Sequence, residues 1–362
     1  MNMNRLGVIA GEQLSPNSKR VVQNLGRIVG NQLDLSLVIH EDEATGDFKD
    51  YYDIIRYTSS NLDPRNFIST LKYFISTVHS HNLDGLINVN KPHQLGLVTS
   101  LAGFITGAKS FIRVTGDPYR EHKAVEGVIP SLKKWILHTG FSTATFHYAD
   151  VLLPVGQSLK EILIARGYNE SKVTILPQPF DFSLFSDPSL GNPSSLRNNL
   201  GLPAKEKIVL FVGRLNYQKG ADRLLSIVRQ VLNNSDRISF CIVGQGPYYR
   251  DFKALDTNRV QVTGRVDRNR MPQYYHAADL LIHPSRTEGL PNVILEALAS
   301  KLPVIASPVG EIPHLVSNVS DRPEEYVQRI LEGDWTEDPL PDRYRWNSLQ
   351  DRYDSMFGIG AN

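Results

Sequence analysis

Short apolar runs alternate with segments of helical period along nearly the whole chain. In the first half the runs at 6–10, 35–40, 83–88, 111–114, 151–154 and 173–176 read as strands. Segments 18–29, 65–79, 95–105 and 158–166 carry the three- and four-residue spacing of helices between them. Such alternation predicts a parallel sheet covered by helices on both faces. The stretch "PQPFDFSLFSDPSLGNPSSLRNNLGLPA", rich in Pro, Ser, Asn and Gly, interrupts the pattern and reads as an interdomain linker with room for one short helix. The alternation restarts with strands at 208–212, 238–243, 260–263, 280–283 and 304–306. Continuous apolar strands such as "KIVLFVG" and "DLLIHPS" suit a sheet buried on both faces. In the tail, Trp346, Leu349, Tyr353 and Phe357 line one face of a helix, which packs on its own domain or crosses to the other.

The expectation is an α/β chain of two doubly wound domains facing a cleft, with ligands beyond the carboxyl ends of the strands. The first domain is expected at 1–177, the linker at 178–204, the second domain at 205–341 and a C-terminal helix at 342–362. The length of 362 residues favours two domains on its own account. A formal net charge of +1 supplies no global field toward nucleic acid or anionic lipid, so no nucleic-acid partner is expected. The lone Cys241 cannot form an internal disulfide and sits in an apolar run. Neither a signal-peptide core at the N-terminus nor a run of about 20 apolar residues is found, which leads to a cytoplasmic expectation.

Chemistry enters where the apolar pattern is broken. In "NVILEALA" (292–299) Glu296 is flanked by Val293, Ile294, Leu295, Ala297 and Leu298. An unpaired carboxylate in such a helix would cost several kcal/mol, so Glu296 meets either a protein donor or a ligand. In "LFVGRLNYQKGADRLL" a strand ends at Gly213 and is followed by Arg214 and Lys219 before a helix. That arrangement suits a diphosphate, or else is a solvated basic turn. "FCIVGQGP" repeats the strand–glycine turn with Gly244 and Gly246, a weak signal alone. "SRTEGLPNV" brings Glu288 and Gly289 to a helix start, where unpaired backbone N–H groups favour an anion.

Taken together, "VGRLNYQKG", "IVGQGP", "GRV…MPQYYHAADLLIHPSRTEGLPNVILEALASKLPVIAS" and "VGEIPHLV" resemble the C-terminal half of the retaining GT-B glycosyltransferases of family 4, over about residues 207–316. The hallmark is a pair of glutamates separated by seven residues, here Glu288 and Glu296. The resemblance implies a GT-B fold of two Rossmann-like domains and transfer of a sugar from a nucleotide-diphosphate sugar. It implies that Arg214 and Lys219 neutralise the donor diphosphate, that Glu288 faces the donor sugar and that Glu296 accepts from the ribose hydroxyls. Backbone amides of Gly289, Leu290 and Asn292 would reach the phosphates. Gly213 and Gly244 would border the donor, and Val266 would lie beside the nucleobase. It also implies that neither cofactor nor metal is needed.

The first half departs from the family pattern. Its opening loop, "AGEQLSPNSKR", has the single Gly11 where relatives carry two glycines, although Ser15, Asn17, Ser18 and Lys19 stand at a helix start. Relatives place a His–Asp pair after a later strand; the matching loop here, "RVTGDPYREHK", offers Asp117 and His122 as candidates near the anomeric carbon. "SLKKWILHTGFSTATF" (131–146) suits either a peripheral contact with the inner face of a membrane or an ordinary helix with a solvated basic edge. No Cys/His cluster, D-x-D or G-x-S-x-G pattern supports a metal site or a serine hydrolase. Expected partners are a nucleotide-sugar donor and a sugar, glycolipid or glycan acceptor. The competing readings are a GT-B sugar-nucleotide epimerase, a phosphorylase and a non-catalytic nucleotide-sugar-binding protein.

Overall fold

The computed structural model describes residues 3–10, 14–43, 46, 48–57, 67–89, 94–117, 119, 139–255, 258–333 and 335–359. The chain divides into two compact units, one of residues 1–181 and 343–362 and the other of residues 182–342.

The first unit holds a six-stranded parallel sheet in the order β3-β2-β1-β4-β5-β6. Its strands are β1 (Arg5–Ile9), β2 (Asp34–His40), β3 (Asp53–Tyr57), β4 (Gly85–Asn88), β5 (Lys109–Val114) and β6 (Val151–Pro154). β3, "DIIRY", went unread because it is an edge strand with charged residues at two of five positions and a half-exposed face. The expected strand at 173–176 is reduced to one bridge between Val173 and Leu152. Helix Pro16–Val29 starts at Ser15, whose hydroxyl accepts from the amide of Ser18, so that serine serves as an N-cap. Lys19, also considered as a donor there, pairs with Glu43 at 2.8 Å.

The C-terminal helix, Trp346–Phe357, belongs to the first unit. The Phe357 ring packs edge-on against Phe111 of β5, with ring centroids 5.3 Å apart. Tyr353 donates to the Pro177 carbonyl at 2.9 Å, and Arg27 lies 4.8 Å over the Trp346 ring. The apolar stripe read from the sequence is therefore spent on β5 and on helix Pro16–Val29.

The second unit is a five-stranded parallel sheet in the order β11-β10-β7-β8-β9. The strands are β7 (Lys207–Val212), β8 (Ile238–Val243), β9 (Val260–Gly264), β10 (Leu280–His283) and β11 (Val304–Ala306). Burial of Cys241 in β8 pushes its thiol up to about 12, which leaves it an inert core group. The short helix allowed in the linker exists as Pro193–Leu200 and packs on helix Met271–Ala277; Arg197 fixes it to Asp279 at 2.7 Å and to the Ala277 carbonyl at 2.8 Å. β8 and β9 extend the sheet to one side of β7, and β10 and β11 lie on the other. The strand order thus reverses between β7 and β10, the position where open parallel sheets bind ligands beyond their carboxyl ends.

Among the described residues no helix is long and apolar enough to cross a membrane. Of the basic–aromatic stretch, residues 131–138 lie outside the described residues, as does His122.

Candidate functional site

Three loops of the second unit are joined at the carboxyl end of its sheet. The amide of Leu215, after β7, donates to Gln245 O at 2.9 Å, and Gly244 N, after β8, donates to Gly264 O at 2.8 Å. A methyl group on Gly244 would sit 1.8 Å from Gly213 O, so only glycine permits this approach. The loop after β10 is tied to the one after β7 by Arg286, whose amide donates to Gln218 O at 3.0 Å. Its guanidinium grips Asp222 through two bonds of 2.6 Å and lies 3.7 Å over the Tyr217 ring. On the far side Gly310, at φ +58°, leaves room for Glu288 O and Gly289 O, which a methyl group would meet at 2.4 and 2.6 Å.

This bracing brings Lys219 and Glu288 together at the strand-order reversal. Lys219 Nζ lies 2.6 Å from Glu288 Oε1, and His283 Nε2 lies 2.8 Å from the same oxygen. A carboxylate at neutral pH can only accept, so His283 carries its proton on Nε2; Ser285 Oγ stands 3.0 Å from that nitrogen. Burial alone would raise the Glu288 carboxyl, but the Lys219 ammonium and the His283 hydrogen bond outweigh it and hold the group well below the ordinary carboxylate range. Both donors converge on Oε1, leaving Oε2 without a hydrogen-bond partner among the described residues.

Glu296 is satisfied differently. Arg268 donates to Oε1 at 2.5 Å and Tyr275 to Oε2 at 2.9 Å, so of the two alternatives for this buried charge, a protein donor or a ligand, protein donors are present. Arg268 is itself held 4.9 Å over the Phe185 ring. Neither Arg268 nor Tyr275 was singled out in the sequence, and nor was His283. A histidine ending a buried strand five residues before a loop glutamate is the one local signal available for that pair.

The other expected residues fall as follows. Arg214 is exposed after β7 and donates to Gln218 at 3.3 Å, while Gly213 and Val266 are half-buried in the turns after β7 and β9. Gly289 and the buried Leu290 lead into helix Asn292–Ala299, whose first amides have no intrahelical acceptor. Asn292 Oδ1 is buried there without a partner among the described residues. In the first unit Asp117 accepts from the Tyr119 amide at 2.9 Å. Among the described residues no group of three or more His, Cys, Asp or Glu side chains is gathered as a metal site. A cavity of about 280 Å³ lined by Leu202, Ser239, Lys253, Arg259 and Gln261 is bordered by the amino-terminal ends of β8 and β9, away from these groups.

Two parallel α/β units of this kind define the GT-B fold of nucleotide-sugar-dependent glycosyltransferases. Residues 206–332, within the second unit, match the family described as glycosyl transferases group 1. The chain is 34% identical over 171 residues to the TuaC protein of Bacillus subtilis, named for teichuronic acid biosynthesis; the match covers 46% of this chain and 41% of the relative. It is 29% identical over 210 residues to the alpha-monoglucosyldiacylglycerol synthase of Streptococcus pneumoniae, covering 56% and 46%. The chain thus spans less than half the length of these two curated relatives. The fold agrees over nearly all of both chains with HepE of Anabaena crystallised with UDP (TM-score 0.75, 17% identity, 98% and 100% covered). It agrees equally with sucrose-phosphate synthase of Thermosynechococcus elongatus (TM-score 0.75, 16% identity, 98% of each).

Proposed function

We propose that the protein is an enzyme that transfers a glycosyl group from a nucleotide-diphosphate sugar to an acceptor hydroxyl with retention of anomeric configuration. The observation that supports this most is the meeting of Lys219 and Glu288 at the strand-order reversal of a domain matched to group 1 glycosyltransferases. Lys219 and Arg214 neutralise the diphosphate and the charge that grows on it as the glycosidic bond breaks. Glu288, anchored through Oε1, offers Oε2 to a hydroxyl of the donor sugar. Glu296, held by Arg268 and Tyr275, accepts from the ribose hydroxyls. The acceptor oxygen attacks from the face of the leaving group, and its proton passes to the departing phosphate. The two basic side chains serve where other transferases use a metal, so the reaction proceeds without one.

HepE was crystallised with UDP and with UDP-glucose, which makes UDP-sugars the first donors to try. The names of TuaC and of the pneumococcal synthase favour a polysaccharide or glycolipid acceptor. Incubation with UDP-sugars and such acceptors in excess EDTA should release nucleotide diphosphate, with proton NMR showing the donor's anomeric configuration in the product. An inverted product, a need for added metal, or an epimerised donor formed without acceptor would refute the assignment.

A further inference from the structure

Arginine is seldom fully buried, and where it is, its nitrogens are spoken for. The rule extends to the part-buried Arg197 and Arg259, which donate to Ala277 O and Asp279 and to Ser235 O and Leu232 O respectively. Arg113, the penultimate residue of β5, breaks it. It is 1% exposed, and among the described residues neither Nε nor Nη2 meets an acceptor. Among the described residues no carboxylate forms an ion pair with it. Tyr353 is the titratable side chain that acts on it, and that hydroxyl's proton is committed to Pro177 O.

Its place in the fold is well defined. Phe111, two residues earlier and so on the same face of β5, packs on Phe357. Tyr353 lies one helical turn before Phe357. The guanidinium is therefore held between the sheet and helix Trp346–Phe357, near the carboxyl end of β5, where open parallel sheets receive ligands. Nε and Nη2 together form the side edge of the guanidinium, which grips a carboxylate or phosphate through two parallel bonds. The unpartnered atoms are thus the pair suited to an oxyanion, and a cation left uncompensated here weakens the ligand-free fold.

We propose that Arg113 is an oxyanion receptor in the first unit, its Nε and Nη2 taking a phosphate or carboxylate group of a bound ligand. On the glycosyl-transfer reading, on which this identification of the ligand rests, that ligand is the acceptor, and the acceptor is anionic.

Melting of the full chain in sodium phosphate and in sodium acetate, each against sodium chloride of equal ionic strength, tests this with wild type, Arg113→Met, Arg113→Lys and Lys219→Met. General salt effects are common to all four, and Lys219→Met reports phosphate bound in the second unit. In chloride Arg113→Met should melt about 2–4 °C above wild type. It should also lose a part of the anion-induced shift that Lys219→Met keeps. Arg113→Lys, which retains the charge without the two-pronged edge, should lose the same part and melt no higher than wild type. Loss confined to the phosphate arm assigns a phosphate-bearing ligand, and loss confined to acetate a carboxylate. A lower melting point for Arg113→Met in chloride, or an anion-induced shift unchanged in Arg113→Lys, overturns the proposal. UDP is added to the same samples: a UDP shift with no effect of Arg113 on the anion response defeats this proposal alone. No UDP shift in wild type defeats the glycosyl-transfer reading and leaves the anion site to the other arms.

Discussion

Glu288 shows how a nearly buried carboxylate becomes a permanent anion, with both donors on one oxygen and the other without a partner among the described residues. Its folded-state affinity for protons is lower than in the unfolded chain. The unfolded state therefore takes up the proton first, and the stabilisation present above the ordinary glutamate value of about 4.3 is lost on acidification below it. Chemical denaturation from pH 6 down to pH 3 should show a steep fall in stability that Glu288→Gln flattens. At pH 7 the same variant should be less stable by about 3 kcal/mol, because the part-buried Lys219 ammonium loses its counter-charge. A variant as stable as wild type at pH 7 with an unchanged acid slope would show that the triad carries no free energy. Lys219, Glu288 and Glu296 were legible as residue types at a spacing. Their donors His283, Arg268 and Tyr275 were not, because those contacts depend on which loops the strand order makes neighbours.

At the scale of elements, strands buried on both faces were readable because their apolar runs are continuous, whereas β3 mixes Asp53 and Arg56 into an edge strand and escapes the pattern. The expected strand at 173–176 failed for the opposite reason: it is apolar enough, but finds one bridge partner instead of a ladder. Loop placement follows from β10 lying beside β7, and that adjacency is invisible in the sequence, where about 70 residues separate the two strands. Gly310 marks how tight the result is. Gly310→Ala should destabilise by more than about 1 kcal/mol, since alanine cannot take φ +58° without strain and its methyl would press on Glu288 O. It should also weaken nucleotide binding, because the displaced backbone carries Glu288. Unchanged stability and unchanged UDP affinity in isothermal titration would remove the loop from the account.

Across the whole molecule the chain leaves the first unit, builds the second and returns for its last helix. The sequence revealed the apolar stripe of that helix but left open which unit it covers; Phe111 and Pro177 decide it for the first. Leu349, Tyr353 and Phe357 are each buried, at about 1.5–3 kcal/mol apiece. A chain ending at Asp342 should therefore lose on the order of 5 kcal/mol from the first unit, seen as early loss of its amide protection in hydrogen exchange. Protection in β7 to β11 should persist; equal loss in both sheets would contradict this division of the chain.

The most direct test of the central claim is calorimetric titration of UDP, GDP and ADP into wild type and Lys219→Met. One nucleoside diphosphate should bind wild type, and at 100 times its dissociation constant it should stabilise the fold by about 2.7 kcal/mol. Lys219→Met should bind it at least tenfold more weakly, the equivalent of about 1.4 kcal/mol. No binding at millimolar concentration, or equal binding by the variant, would contradict a diphosphate site built on Lys219.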